Sequence, residues 1–160
     1  MQLPDLVALC EVENDSVLFD LTKRSVIRTA GYEYVMTNSP DERGIDVALM
    51  YQPFSFSLIH SWSIRVKRLP DTRPTRDILY VSGRVITGDT LHVFVVHAPS
   101  RRGGERESRP YRLQVASQLA EAVDSIYAPQ RGAKIIVAGD FNDYHDSPAL
   151  EYLYQHHLIN

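Results

Sequence analysis

Asp140 and Asn142, set two positions apart in Gly139-Asp-Phe-Asn142, follow the apolar run Ala133-Lys-Ile-Ile-Val-Ala138. On a strand they share one face, because strand side chains alternate with period two. A carboxylate held there can orient or deprotonate a water, while an amide donates to a phosphoryl oxygen as charge builds on it. Hydrolysis of a phosphate ester is the chemistry such a pair suits. The same four residues also read as a plain turn, since Gly, Asp and Asn are turn formers.

Three other segments fall in the order that one site would need. Pro4-Asp-Leu-Val-Ala-Leu-Cys-Glu-Val-Glu-Asn14 is an apolar strand ending in carboxylates, and Arg43-Gly-Ile-Asp-Val-Ala-Leu-Met-Tyr51 is a Gly-led strand. Leu91-His-Val-Phe-Val-Val-His-Ala-Pro-Ser-Arg-Arg-Gly-Gly104 delivers His97 ahead of a basic, Gly-rich loop. With Leu9-Cys-Glu-Val12 and Gly139-Asp-Phe-Asn142 as its sharpest motifs, the sequence resembles the endonuclease/exonuclease/phosphatase superfamily of metal-dependent phosphoesterases, the deoxyribonuclease-like fold. The resemblance runs from Pro4 to about Leu158. It implies that Glu11 holds Mg2+ or Mn2+, that Asp140 positions the attacking water and that Asn142 donates to the phosphoryl group. It further implies that His97 approaches the phosphate as acid or hydrogen-bond donor, with Arg101, Arg102 and Arg43 as phosphate contacts. A hard divalent cation that keeps several waters needs only one or two protein carboxylates, which agrees with a lone Glu11. Arg suits bidentate contact with phosphate.

The sequence also departs from that family. Its members carry an earlier strand bearing an Asn, and later strands ending in an Asp and in an Asp-His pair, and neither is found here. The expectation is therefore either a fragment of a longer enzyme or a shortened relative. In either case the sandwich is expected to be incomplete, unstable alone or completed by a second copy across an uncovered edge or face. A non-catalytic module that binds phosphate-bearing ligands or a protein is the competing reading.

At 160 residues, 44% hydrophobic and 23% charged, the sequence fits one domain with a sizeable core, and neither disorder nor a membrane span is indicated. No basic-then-apolar leader stands at the start, which in an excised piece says little of the parent. A net charge of -3 gives no general drive toward nucleic acid. The cations are nevertheless grouped: Arg65, Lys67, Arg68, Arg73 and Arg76 in one stretch, and Arg101, Arg102, Arg106, Arg109 and Arg112 in another. Such patches fit a phosphate-ester substrate, nucleic acid among the candidates. They equally fit solvated loops paired to nearby carboxylates. Cys10 is the only cysteine, so no intramolecular disulfide is available, and in an apolar strand it reads as a small hydrophobe.

The elements that must hold these groups follow from periodicity. Strands are expected at Asp5 to Val12, Tyr32 to Thr37, Asp46 to Tyr51, Ser55 to Val66, Ile78 to Ile86, Leu91 to Ala98 and Ala133 to Ala138. Thr87-Gly-Asp-Thr90 is the strongest hairpin signal. Helices are expected from an Asn14 cap to about Ala30, from Tyr111 to about Ala128 on an apolar stripe, and from Pro148 to about Leu158. Pro99 to Pro110 reads as a long loop. The order implies an α/β fold with mainly antiparallel, mixed sheets. By resemblance it is part of a four-layer α-β-β-α sandwich.

Overall fold

The computed structural model describes residues 3–70 and 72–159. Strands β1 (Leu6–Val12), β2 (Glu33–Met36) and β3 (Asp46–Tyr51) form one sheet in the order β1-β3-β2. Strands β4 (Phe56–Ile64), β5 (Ile78–Val85), β6 (Thr90–His97) and β7 (Lys134–Asp140) form a second, in sequence order. All neighbours are antiparallel except β6 and β7, which run parallel and are joined by the long helix α2 (Glu105–Tyr127). The parallel pairing needs such a crossover, because a tight turn cannot reverse the chain twice.

Alternation along β5 and β6 builds two cores at once. Leu79, Val81, Val93 and Val95, with Phe56 of the neighbouring β4, face the other sheet, where they meet Val47, Leu49 and Tyr51. Tyr80, Phe94 and Val96 face outward onto Val115, Leu119 and Val123 of α2 and Leu153 of α3 (Pro148–Tyr154). A smaller cluster, Val12, Leu18 and Ala48, lies under α1 (Asp15–Phe19). The result is the α-β-β-α layering expected from the sequence. Among the described residues no helix is long and apolar enough to cross a membrane.

Three elements differ from their sequence expectation. The helix expected from Asn14 to Ala30 begins as foreseen, with Asn14 Oδ1 accepting the Val17 amide at 3.1 Å, but only Asp15–Phe19 is α-helical. A wider π-type turn covers Asp20–Arg24 and a 3-10 turn covers Arg28–Ala30. The Thr22 and Ser25 hydroxyls donate to the Leu18 and Leu21 carbonyls, a competition that bends helices, and Val26 stays 89% exposed, so little packing holds the segment straight. Helix α2, conversely, starts at Glu105 within the expected loop and runs through Pro110. A proline inside a helix costs about 3 kcal/mol. Arg112 braces the turns on either side of Pro110, its guanidinium donating to Glu105 and Ser108 at 2.8 Å each. The third is α3, which stops at Tyr154, and a turn then brings His156 Nδ1 to 2.8 Å from Asp124 of α2.

Gly83 in β5 has no room for a side chain, since a Cβ there would lie 2.3 Å from the ring of buried Phe56. Gly83→Ala is expected to destabilise the fold by about 1–3 kcal/mol, as overpacked cores do. The urea midpoint should fall with unchanged slope; an unmoved midpoint would show that the inter-sheet core yields freely at this point.

Candidate functional site

The ends of β6 and β7 bring the chemistry-bearing residues together. Their parallel register sets His97 beside Asp140, and the Ala98 amide extends the ladder by donating to the Asp140 carbonyl at 2.8 Å. Gly139 makes that approach feasible. A Cβ at this position would meet the Val96 carbonyl oxygen at 1.9 Å, and its φ of 137° is one that side-chain-bearing residues avoid. Beyond it the chain turns tightly. Asp140 Oδ1 accepts the Asn142 amide at 2.8 Å, and Asn142 sits at φ 49°, a left-handed conformation that Asn tolerates. One Asn142 Nδ2 hydrogen goes to the Ala98 carbonyl at 2.9 Å, which fixes the amide plane and leaves its second hydrogen free among the described residues. Asp140 Oδ2 faces His97 Nε2 across 3.9 Å, beyond hydrogen-bond length.

His97 is buried, and its Nδ1 has no partner among the described residues. Burial, aided by the Arg76 charge, pulls its imidazole below the ordinary value of 6.5, against the opposing pull of Asp140 and Glu11. Arg76 is the fastener of this corner. Its guanidinium donates to the His97 carbonyl at 3.2 Å and the Ala98 carbonyl at 2.8 Å, and it pairs with Asp41 at 3.2 Å with both side chains buried. Sequence reasoning counted Arg76 among the clustered cations and gave it no place at the site. The available signal was the dipeptide Arg76-Asp77 abutting the apolar start of a strand, Ile78-Leu-Tyr-Val81.

Glu11 reaches the site through a β-bulge. The β1–β3 register shifts between Leu9 and Val12, and Glu11 takes φ 60°, unfavourable for a residue with a Cβ. The bulge turns its side chain to solvent, where Oε1 meets Arg43 Nη2 at 3.0 Å. Backbone strain of this kind, of order 1–3 kcal/mol, collects at functional positions. Neighbouring Cys10 points inward, its Sγ 3.6 Å from the Val96 carbonyl, and burial pushes the thiol up, as suits a packing residue.

The loop after Asn142 is held by α2 and by the loop before it. Arg101 donates to the Asn142 carbonyl at 3.1 Å, pairs with Asp143 at 3.2 Å and stacks over the Tyr144 ring at 4.0 Å. Arg112, 1% exposed, grips the other Asp143 oxygen at 2.8 Å. Burial pushes the Asp143 carboxyl up, but bonds from Arg112, Ser147 and the Tyr144 amide outweigh it and leave it below the usual carboxylate range. Arg101 is therefore committed to the loop, whereas exposed Arg102 points to a separate groove shared with Arg43. His145 is exposed, as a surface histidine.

Among the described residues no three His, Cys, Asp or Glu side chains converge as a metal cage. The donor set nevertheless fits a hydrated hard cation. Glu11 is largely exposed and Oε2 makes no bond among the described residues, leaving one hard oxygen for an ion that keeps its waters.

A family model described as Endonuclease/Exonuclease/phosphatase family matches residues 1–156. Among solved structures, the human Nocturnin catalytic domain with bound sulfate anion is similar at 23% identity and TM-score 0.73, over 93% of this chain and 55% of that one. ANGEL2, a 2',3'-cyclic phosphatase, is similar at 22% identity and TM-score 0.71, over 94% and 43%. A mannosyl-6-phosphatase of Bacteroides thetaiotaomicron gives 17% identity and TM-score 0.73, over 94% and 56%. The chain thus spans about half the length of these structures. No curated protein sequence matches it.

Burial also lowers His92, so two histidines resist protonation in the folded state. A pKa lower in the folded than in the unfolded chain gives stability that is complete above about 6.5 and lost as pH falls below it. The urea midpoint should therefore drop between pH 7.5 and 5.5, and His97→Asn should shrink that drop. An equal drop in the variant would remove His97 as a source.

Proposed function

The chain belongs to the endonuclease/exonuclease/phosphatase family, and we propose that its protein hydrolyses a phosphodiester, as a nuclease or related phosphodiesterase does, by direct attack of water on phosphorus. The observation that carries this reading is the facing of Asp140 and His97 across 3.9 Å, with the Asn142 amide anchored beside them. Asp140 Oδ1 is spent on the turn, so Oδ2 is the oxygen that would orient the water and take its proton. The water oxygen bonds to phosphorus as the ester P–O bond breaks, and the leaving oxygen departs with the bonding pair. The free Asn142 Nδ2 hydrogen and the His97 Nε2 hydrogen would donate to the phosphoryl oxygens. An imidazole kept neutral by burial can donate from Nε2. Magnesium or manganese held on Glu11 with retained waters would supply a Lewis acid for a phosphoryl oxygen.

The arginines divide the remaining work. Arg43, beside Glu11, would contact the scissile phosphate. Arg101 positions the Asn142 turn through the carbonyl it holds, and Arg102 would contact the substrate further out. A phosphate-binding module without catalysis is the second reading, favoured by one observation: the Glu11 carboxylate is shared with Arg43.

The test is hydrolysis of bis(p-nitrophenyl) phosphate by the full-length protein with Mn2+. Asp140→Ala should cut kcat by about 10²–10⁴, the usual contribution of a general base. Asn142→Ala should cut it by about 10²–10³, as loss of a transition-state donor does. Unaltered turnover in Asp140→Ala would overturn the assignment, and metal-independent ligand binding with no turnover in the wild type would establish the binding module.

A further inference from the structure

Adjoining the site, and sharing Arg43 and Arg76 with it, lies a groove of about 510 Å³ between the chain that follows β4, the loop after β6 and the start of α2. It is lined by Arg43, Lys67, Arg68, Arg73, Arg76 and Arg102. Among the described residues three carboxylates, Asp41, Glu42 and Glu107, share that lining, on a chain whose net charge is -3. Val66 and Tyr111 add an apolar wall. We propose that this groove binds a second phosphate of the substrate, one beyond the phosphate that is hydrolysed. The inference rests on the hydrolytic reading above and narrows its substrate to molecules carrying two or more phosphates.

The walls are built rather than incidental. Gln118 of α2, almost fully buried, accepts the Lys67 amide at 2.7 Å and donates to the Arg65 carbonyl at 3.1 Å, fixing the segment that presents Lys67. Thr72 closes the next turn on the Leu69 carbonyl at 2.8 Å, and Arg68 donates to the Thr72 carbonyl. On the opposite side the buried pair of Arg76 and Asp41 joins the groove to the carbonyls of His97 and Ala98. The Thr75 hydroxyl, set in the lining, is buried without a partner among the described residues.

The cations differ in how free they are. Arg76 is committed, and Arg43 belongs to Glu11. Lys67 and Arg102 are exposed and have no carboxylate within 4.0 Å among the described residues. Arg73, its side chain 85% exposed, meets among the described residues the half-exposed Glu42 at 3.1 Å. An exposed pair of that kind contributes little, so a phosphate can take the Arg from it at little cost. Asp140, Asn142 and His97 do not line the groove, whereas Arg43 and Arg76 border both regions. A phosphate seated here is therefore not the one attacked. It is a neighbour on the same molecule.

Binding of inorganic tripolyphosphate to the full-length protein without metal, measured by calorimetry, tests the groove apart from the chemistry. Lys67→Glu combined with Arg73→Glu should weaken binding about tenfold, whereas Asp140→Ala should keep it within twofold. Absent binding, or binding that the charge reversal leaves unmoved, overturns the groove. The source of the phosphate is read from kinetics. In the charge-reversed protein, kcat/KM for a substrate with two phosphates, divided by that for bis(p-nitrophenyl) phosphate, should fall about tenfold. A constant ratio alongside weakened tripolyphosphate binding would mean that free polyphosphate, not substrate, occupies the groove, and would overturn the inference. Tripolyphosphate binding as expected with no hydrolysis of any substrate would instead overturn the hydrolytic reading.

Discussion

The close approach of Gly139 to the backbone of Val96 is the constraint on which the site depends. With a Cβ excluded at 1.9 Å from the Val96 carbonyl, β7 lies against β6 in the one register that sets Asp140 beside His97. A shift of one residue would send Asp140 to the opposite face of the sheet, because side chains alternate. Everything beyond follows from that register. The Asp140 carbonyl takes the Ala98 amide, the Asp140 carboxylate takes the Asn142 amide, and the Asn142 side chain returns to the Ala98 carbonyl. Three bonds thereby lock a carboxylate and an amide at one strand end before any ligand arrives.

A second layer of the design is electrostatic. Two arginines, Arg76 and Arg112, are taken almost wholly out of water, and each is given a carboxylate and further hydrogen-bond partners. Buried ion pairs contribute little net stability against well-packed apolar residues, so stability alone is a weak reason for them. They make up the supporting shell of the site. Arg76 holds the end of β6, and Arg112 with Arg101 holds the loop that follows Asn142 through Asp143. The same Arg76 charge helps to keep His97 unprotonated.

Much of this was legible in the sequence, for reasons that differ by residue. Gly139-Asp-Phe-Asn142 could be read because its turn chemistry and its place after an apolar run agree. The strand nevertheless ends at Asp140, and a left-handed turn, not strand alternation, sets Asn142 beside it. The strand Asp46–Tyr51 was bounded to the residue, since both ends are marked by a change from polar to apolar. Arg112 was the missed clue. It stands on the same helical stripe as Val115, Ala116 and Leu119, where a charge signals a buried partner, yet the partner Asp143 is remote in sequence. The helix after Asn14 was over-read because a run of moderate helix formers hides the hydroxyls that divert its carbonyls. Long-range partners and side-chain competition were the blind spots, while local spacing was not.

The site strands occupy a particular place in the two sheets. Glu11 lies on β1 and Asp140 on β7, and each of these is an edge strand. The β7 edge is open as well as apolar, with Ile136 47% exposed. Exposed edges invite pairing, and proteins blunt them with bulges, charges or covering segments. β1 is blunted by its bulge at Glu11, which also aims the carboxylate. Nothing comparable blunts β7 among the described residues. Any strand that pairs with β7, whether from the same polypeptide or from a second copy, would run directly alongside Asp140. Covering that edge and adding side chains beside Asp140 would then be one structural event.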